Sequence, residues 1–162
     1  MSSLAFRNVD TSPEDPVSGW PLEAIQTALE RGGLSHWRRL AKAIQVQPWG
    51  TVARRVEEVL TYSRPYGVAL AMEKVIDGAR RETEGAERRA VAAEVDQLVR
   101  ASGLTRAEFA SQIGTSASRL STYVTGRVTP SAALLFRMGH VGDANITRSD
   151  TENIPPRQFH PM

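Results

Sequence analysis

The stretch LTRAEFASQIGTSASRLSTYVTGRVTPSAALLFRM, residues 104–138, carries the densest helix punctuation in the chain. Thr105-Arg106-Ala107-Glu108 has the form of a capping box. In that motif the threonine hydroxyl accepts from the glutamate amide, and the glutamate carboxylate accepts from the threonine amide. The short helix so opened places Phe109, Ala110 and Ile113 on one face and meets a stop at Gly114. Ser116 is placed to cap the next helix, with Leu120 and Tyr123 inward and a stop near Gly126. Thr129-Pro130 reads as an N-cap followed by proline at the first helical position, opening a last helix with Leu134, Leu135 and Met138. Upstream, Val91, Val95, Leu98 and Val99 recur at helical spacing in a helix that ends at Ser102-Gly103.

Two short helices joined across a glycine turn and packed between two others make a helix-turn-helix arrangement. The second of them carries Ser116, Ala117, Ser118, Ser121 and Thr122 at and after its amino end. A solvent-facing helix chosen for stability carries Glu, Lys, Gln and Arg instead. The run therefore sacrifices helix propensity, which makes sense where a surface must approach something closely. The major groove of DNA is such a place: about 12 Å wide, it admits a helix end whose residues are small or polar.

On these residues the sequence resembles the Cro/CI family, also called the XRE family, of bacterial and phage regulators. The family pattern is Leu-Thr-x-x-x-Ala, a glycine turn, a serine-capped recognition helix and Gly-x-x-x-Pro, and residues 104–138 keep most of it. Phe109 stands where leucine is commoner. The resemblance implies an all-α fold with a lambda-repressor-like helix-turn-helix domain, and double-stranded DNA as partner. By position it implies phosphate contacts from Arg106, Ser116, Arg119 and Arg127, and base-facing places for Ala117, Ser118, Ser121 and Thr122. Family members often put Gln, Arg or Asn at base-facing places, able to make bidentate contacts worth about 1–3 kcal/mol each. The small residues here cannot, so thymine-methyl contacts, water bridges and DNA shape are left to give selectivity. Many members also pair an arginine with a glutamate where this chain has Val99 and Val124. Replacing a buried ion pair by apolar side chains is often neutral or stabilising, so the fold expectation survives.

Ahead of this domain, Leu22, Ile25 and Leu29, then Trp37, Leu40, Ala41 and Ile44, then Val52, Val56, Val59 and Leu60, then Val68, Met72, Val75, Ile76 and Ala79 recur with helical spacing. Gly32-Gly33, Pro48 and Pro65 separate the runs. These imply a small helical module over residues 20–85, in which Trp20, Trp37 and Trp49 are expected as core anchors. Arg38, Arg39, Lys42, Arg54 and Arg55 are expected on a solvated face. HWRRLAKAI, PWGTVARRVEEVL and SRPYGV also look like a segment accompanying such domains in actinobacterial regulators, with no chemistry implied. Residues 1–19, with Pro13 and Pro16, read as a flexible leader, and 142–162, with Pro155, Pro156 and Pro161, as a flexible tail. The charged stretch 78–87 fits either a linker or one long exposed helix.

Net charge is +2, but it is unevenly placed. Residues 1–85 hold eleven basic and eleven acidic side chains, whereas 86–141 hold seven and four. The excess sits where a polyanion would use it. No run of about 20 apolar residues occurs, so no membrane span is expected. The opening residues show no basic n-region before an apolar stretch, so a secretory signal is not expected. Absence of cysteine removes disulfides, thiolate zinc sites and thiol nucleophiles together. His36, His140 and His160 have no ligand spacing, and no acid, base and nucleophile constellation is visible, so neither enzyme nor cofactor is expected.

The leading expectation is a cytoplasmic, nucleoid-associated transcriptional repressor: residues 86–141 bind DNA, and the helix at 116–125 enters the major groove. One such domain buries limited surface, so a homodimer reading half-sites about 34 Å apart is the natural solution. The apolar stripes of residues 35–79 are candidates for the dimer contact. The alternative is an antitoxin that neutralises a partner toxin, held by the module or the tail, and controls its own operon.

Overall fold

The computed structural model describes residues 3–152. Among them the chain is all-helical: a single 3-10 turn, Val17–Gly19, and seven α-helices, with no strand. The helices are α1 Leu22–Arg31, α2 Leu34–Val46, α3 Thr51–Leu60, α4 Val68–Ser102, α5 Arg106–Ile113, α6 Ala117–Val124 and α7 Ala132–Glu152. The charged stretch at 78–87 is helical throughout, inside α4. None of the described helices is long and apolar enough to cross a membrane. Two compact units meet in sequence between Gly85 and Ala86.

The first unit is built as its periodicity implies. Trp20, Ile25, Leu29, Leu40, Ile44, Val56 and Val59 are fully buried, and Met72 and Ile76 from α4 close the core. Most of those stripes are thereby taken up by the unit's own interior, while Trp37, Ala41, Val68 and Val75 stay partly exposed. Large apolar side chains left exposed include Leu34, Val46, Tyr62, Tyr66 and Leu70, each more than half exposed. Leu34 and Tyr66 line a groove of about 470 Å³ with Trp37, Ala41 and Met72.

Two expectations change here. Residues 3–19 do not form a free leader, because Leu4, Phe6 and Val17 pack on the core. Phe6 meets Trp20 edge-on at 5.0 Å, and the Trp20 indole donates to the Asp15 carbonyl at 3.1 Å. Arg39, expected on a solvated face, stacks over Trp20 at 5.0 Å and donates to the carbonyls of Pro13 and Asp15. Arg55 likewise donates to the Trp20 carbonyl at 2.7 Å. Guanidinium groups satisfying an irregular backbone leave no periodic trace in sequence. Of the tryptophans, Trp20 is buried and Trp37 partly buried against the core, while Trp49 is half exposed. Its ring lies under the Arg80 guanidinium, which also pairs with Glu57 at 2.6 Å.

The second unit gathers Val95 and Val99 of α4 with Phe109, Ala110, Ile113, Leu120, Tyr123 and Met138 into one core. Val99 is buried, and Val124, partly buried, packs on the same cluster. Thr129 is not a cap. The chain stays non-helical through Ser131, whose hydroxyl accepts from the Leu134 amide at 3.2 Å, and α7 opens at Ala132. Nor is the tail irregular from Gly142: α7 runs on to Glu152, and Gly142 seats against Leu98, 3.4 Å from where its Cβ would stand. The part of the expected tail at 153–162, with its prolines, lies outside the described residues.

Candidate functional site

Each end of α5 and α6 is fixed by a local interaction that the sequence specifies. At the start of α5, Glu108 Oε2 accepts from the Thr105 amide at 2.8 Å, and Thr105 Oγ1 accepts from the Glu108 amide at 3.2 Å. The backbone bond to Thr105, and then its hydroxyl, hold the Glu108 carboxyl below the usual carboxylate range. Arg106 follows the cap directly and is exposed, with no ion pair among the described residues. A cation at the first helical position opposes the helix dipole, so its placement costs a little stability and leaves a free guanidinium at the surface.

Gly114 ends α5 with φ +78°, a left-handed turn that side chains other than glycine resist. The Thr115 amide reaches back to the Ala110 carbonyl at 2.9 Å, and Arg137 from α7 donates to the Ile113 carbonyl at 2.7 Å. The chain then meets Ser116, whose hydroxyl accepts from the Arg119 amide at 3.1 Å and opens α6. Leu120 and Tyr123 anchor α6 in the core, and this fixes what faces outward. Ser116, Ala117, Ser118 and Arg119 are all exposed, four consecutive residues at one end of the helix.

Arg119 Nε donates to the Tyr123 hydroxyl at 3.0 Å. That bond raises the arginine pKa further and leaves both terminal nitrogens free to donate elsewhere. Ser121 and Thr122 are half-buried, and Thr122 Oγ1 donates to the Arg119 carbonyl at 2.7 Å. Its methyl and a remaining lone pair are what it can offer a ligand. Arg127 lies beyond the far end of α6, past Gly126, and is exposed without an ion pair among the described residues. An eight-residue helix is about 12 Å long, so Arg127 and Ser116 mark opposite ends of the exposed edge. The structure thus places Ser116, Ala117, Ser118 and Arg119 together, Ser121 and Thr122 along the helix behind them, Arg127 at its end, and Arg106 at the opening of the neighbouring helix.

Electrostatically the region is one-signed. Between Phe109 and Gly142 there is no Asp or Glu, and the charged residues are Arg119, Arg127 and Arg137. This signal is legible in sequence, but averaging charge over the longer segment 86–141 hides it behind Glu87, Glu94, Asp96 and Glu108. Arg137 is the residue that position-by-position reading omits; its role is the carbonyl at the end of α5. No cluster of three metal-ligating side chains occurs among the described residues. What the arrangement offers chemically is hydrogen-bond donors, a helix amino end and positive charge, a combination suited to binding an anion. No protein-family model, curated protein or solved structure matches the chain.

Proposed function

We propose that the second unit is a helix-turn-helix domain of the phage-repressor type that binds double-stranded DNA sequence-specifically and represses transcription. α5 and α6 are its two short helices, and α6 enters the major groove amino end first. One observation carries the reading: the first turn of α6 is an exposed run of Ser116, Ala117, Ser118 and Arg119, small enough to approach base edges, in a stretch without a single carboxylate. A carboxylate-free rim matters because DNA presents one negative charge about every 1.7 Å. In this reading Arg106, Arg119 and Arg127 neutralise phosphates and fix the register. Ala117, Ser118, Ser121 and Thr122 meet the bases through methyl contacts and single hydrogen bonds. Such contacts discriminate weakly, so DNA shape contributes to selectivity. The apolar groove lined by Leu34, Trp37, Ala41, Tyr66 and Met72 offers a surface for a second copy, which would supply the other half-site reader.

The test is the salt dependence of duplex affinity. Each phosphate contact contributes about 0.9 to the slope of log affinity against log salt. Arg106→Ala and Arg119→Ala are each expected to weaken binding on every duplex and to reduce that slope by about 0.9. Measured by fluorescence anisotropy from 50 to 200 mM salt, unchanged slopes in both variants remove these arginines from the interface.

A further inference from the structure

Resting on the DNA-binding reading, we propose that Arg88, on α4, joins Arg127 in a further phosphate-binding position that lengthens the duplex contact beyond the two short helices. The evidence begins at Gly126, which reverses the chain after α6 with φ +75°. A Cβ built there would lie 3.4 Å from the Ala92 Cβ and 4.0 Å from the Arg88 carbonyl oxygen. The turn that carries Arg127 therefore rides directly on the 88–92 turn of α4.

Helical geometry then says where the Arg88 side chain emerges. Arg88, Ala92, Val95 and Val99 share one stripe, at spacings of four, three and four. Ala92, Val95 and Val99 are buried, whereas Arg88 is exposed. The guanidinium thus leaves the helix at the rim of the core, on the side where the Gly126 turn sits.

Several arginines are committed within the chain, whereas Arg106, Arg88 and Arg127 are among those that are not. Arg64 pairs with Glu73, Arg80 with Glu57 and Arg100 with Asp96, and Arg137 holds the Ile113 carbonyl. Arg88 and Arg127 make neither an ion pair nor a side-chain hydrogen bond among the described residues. Glu84, one turn before Arg88, does not pair with it, and Glu87 lies about 100° around the helix. Two unpaired guanidinium groups on adjoining turns leave local positive charge that a bound anion would neutralise. A phosphodiester backbone supplies such anions at regular spacing.

The experiment uses the full chain and a duplex that the unmodified protein binds, with Arg88→Ala, Arg89→Ala and Arg106→Ala compared across salt. Alanine in an exposed helical position keeps the helix, which circular dichroism checks. Arg88→Ala is expected to lower the salt slope by about 0.9, so that it loses roughly threefold less affinity than the parent between 50 and 200 mM. Arg89→Ala, one residue around the helix, is expected to keep the parental slope. An Arg88→Ala slope equal to the parent's, with Arg106→Ala flattened, overturns this inference alone. Equal flattening by Arg88→Ala and Arg89→Ala overturns it too, because net charge then suffices. A parent chain with no duplex affinity removes the DNA-binding reading itself.

Discussion

Ser118→Glu is expected to make the chain slightly more stable while lowering its duplex affinity by about two orders of magnitude. Ser118 is the second residue of α6 and is exposed, so a carboxylate there meets no burial cost. It faces the positive end of the helix dipole, an interaction that typically adds about 0.3–1 kcal/mol. The same carboxylate would sit inside the groove between the flanking phosphates, and like charges brought together in an interface cost several kcal/mol. The opposite signs make the variant diagnostic, since general damage to the fold lowers stability and binding together. Thermal unfolding and anisotropy on one preparation separate the two effects. Parental affinity in a well-folded Ser118→Glu protein would mean that α6 is not the reading helix.

Phe109→Ala has the largest expected effect on stability. Phe109 is completely buried and is the largest fully buried side chain in the core of the second unit. Truncating such a residue costs about 3–5 kcal/mol through lost burial and the cavity left behind. A domain of this kind has about 5–15 kcal/mol in total, so the second unit would unfold at mild denaturant concentration and lose duplex binding with it. Urea unfolding followed by circular dichroism measures the loss; a shift under about 1 kcal/mol would contradict the packing of α5 described here.

Features set by local chemistry were the ones legible in sequence. Thr105 and Glu108 specify each other over three residues, Gly114 answers a backbone demand, and Ser116 satisfies an orphan amide. Each needs no knowledge of the rest of the fold. Helix faces were legible for the same reason: one period places Leu120 and Tyr123 inside and exposes Ser118 and Arg119. Illegible features depend on distant partners. Arg39 and Arg55 look like surface charges until the carbonyls of Asp15 and Trp20 come within reach, 24 and 35 residues away. Thr129-Pro130 is locally a good helix start, yet Pro130 is buried and Ser131 takes the cap one residue before the helix. The 142–152 segment lacks an apolar period, and its helix continues one already begun at Ala132, so no start signal marks it.

The central claim is that the first turn of α6 meets duplex DNA, and backbone amide mapping by NMR tests it residue by residue. The duplex should be one recovered by selection from random sequence, added to the isotope-labelled full chain. Amides of Ser116, Ala117, Ser118 and Arg119 are expected to show the largest shifts, with Arg106 and Arg127 next. A duplex that binds while these amides stay unmoved, or a chain that binds no duplex at low salt, would contradict it.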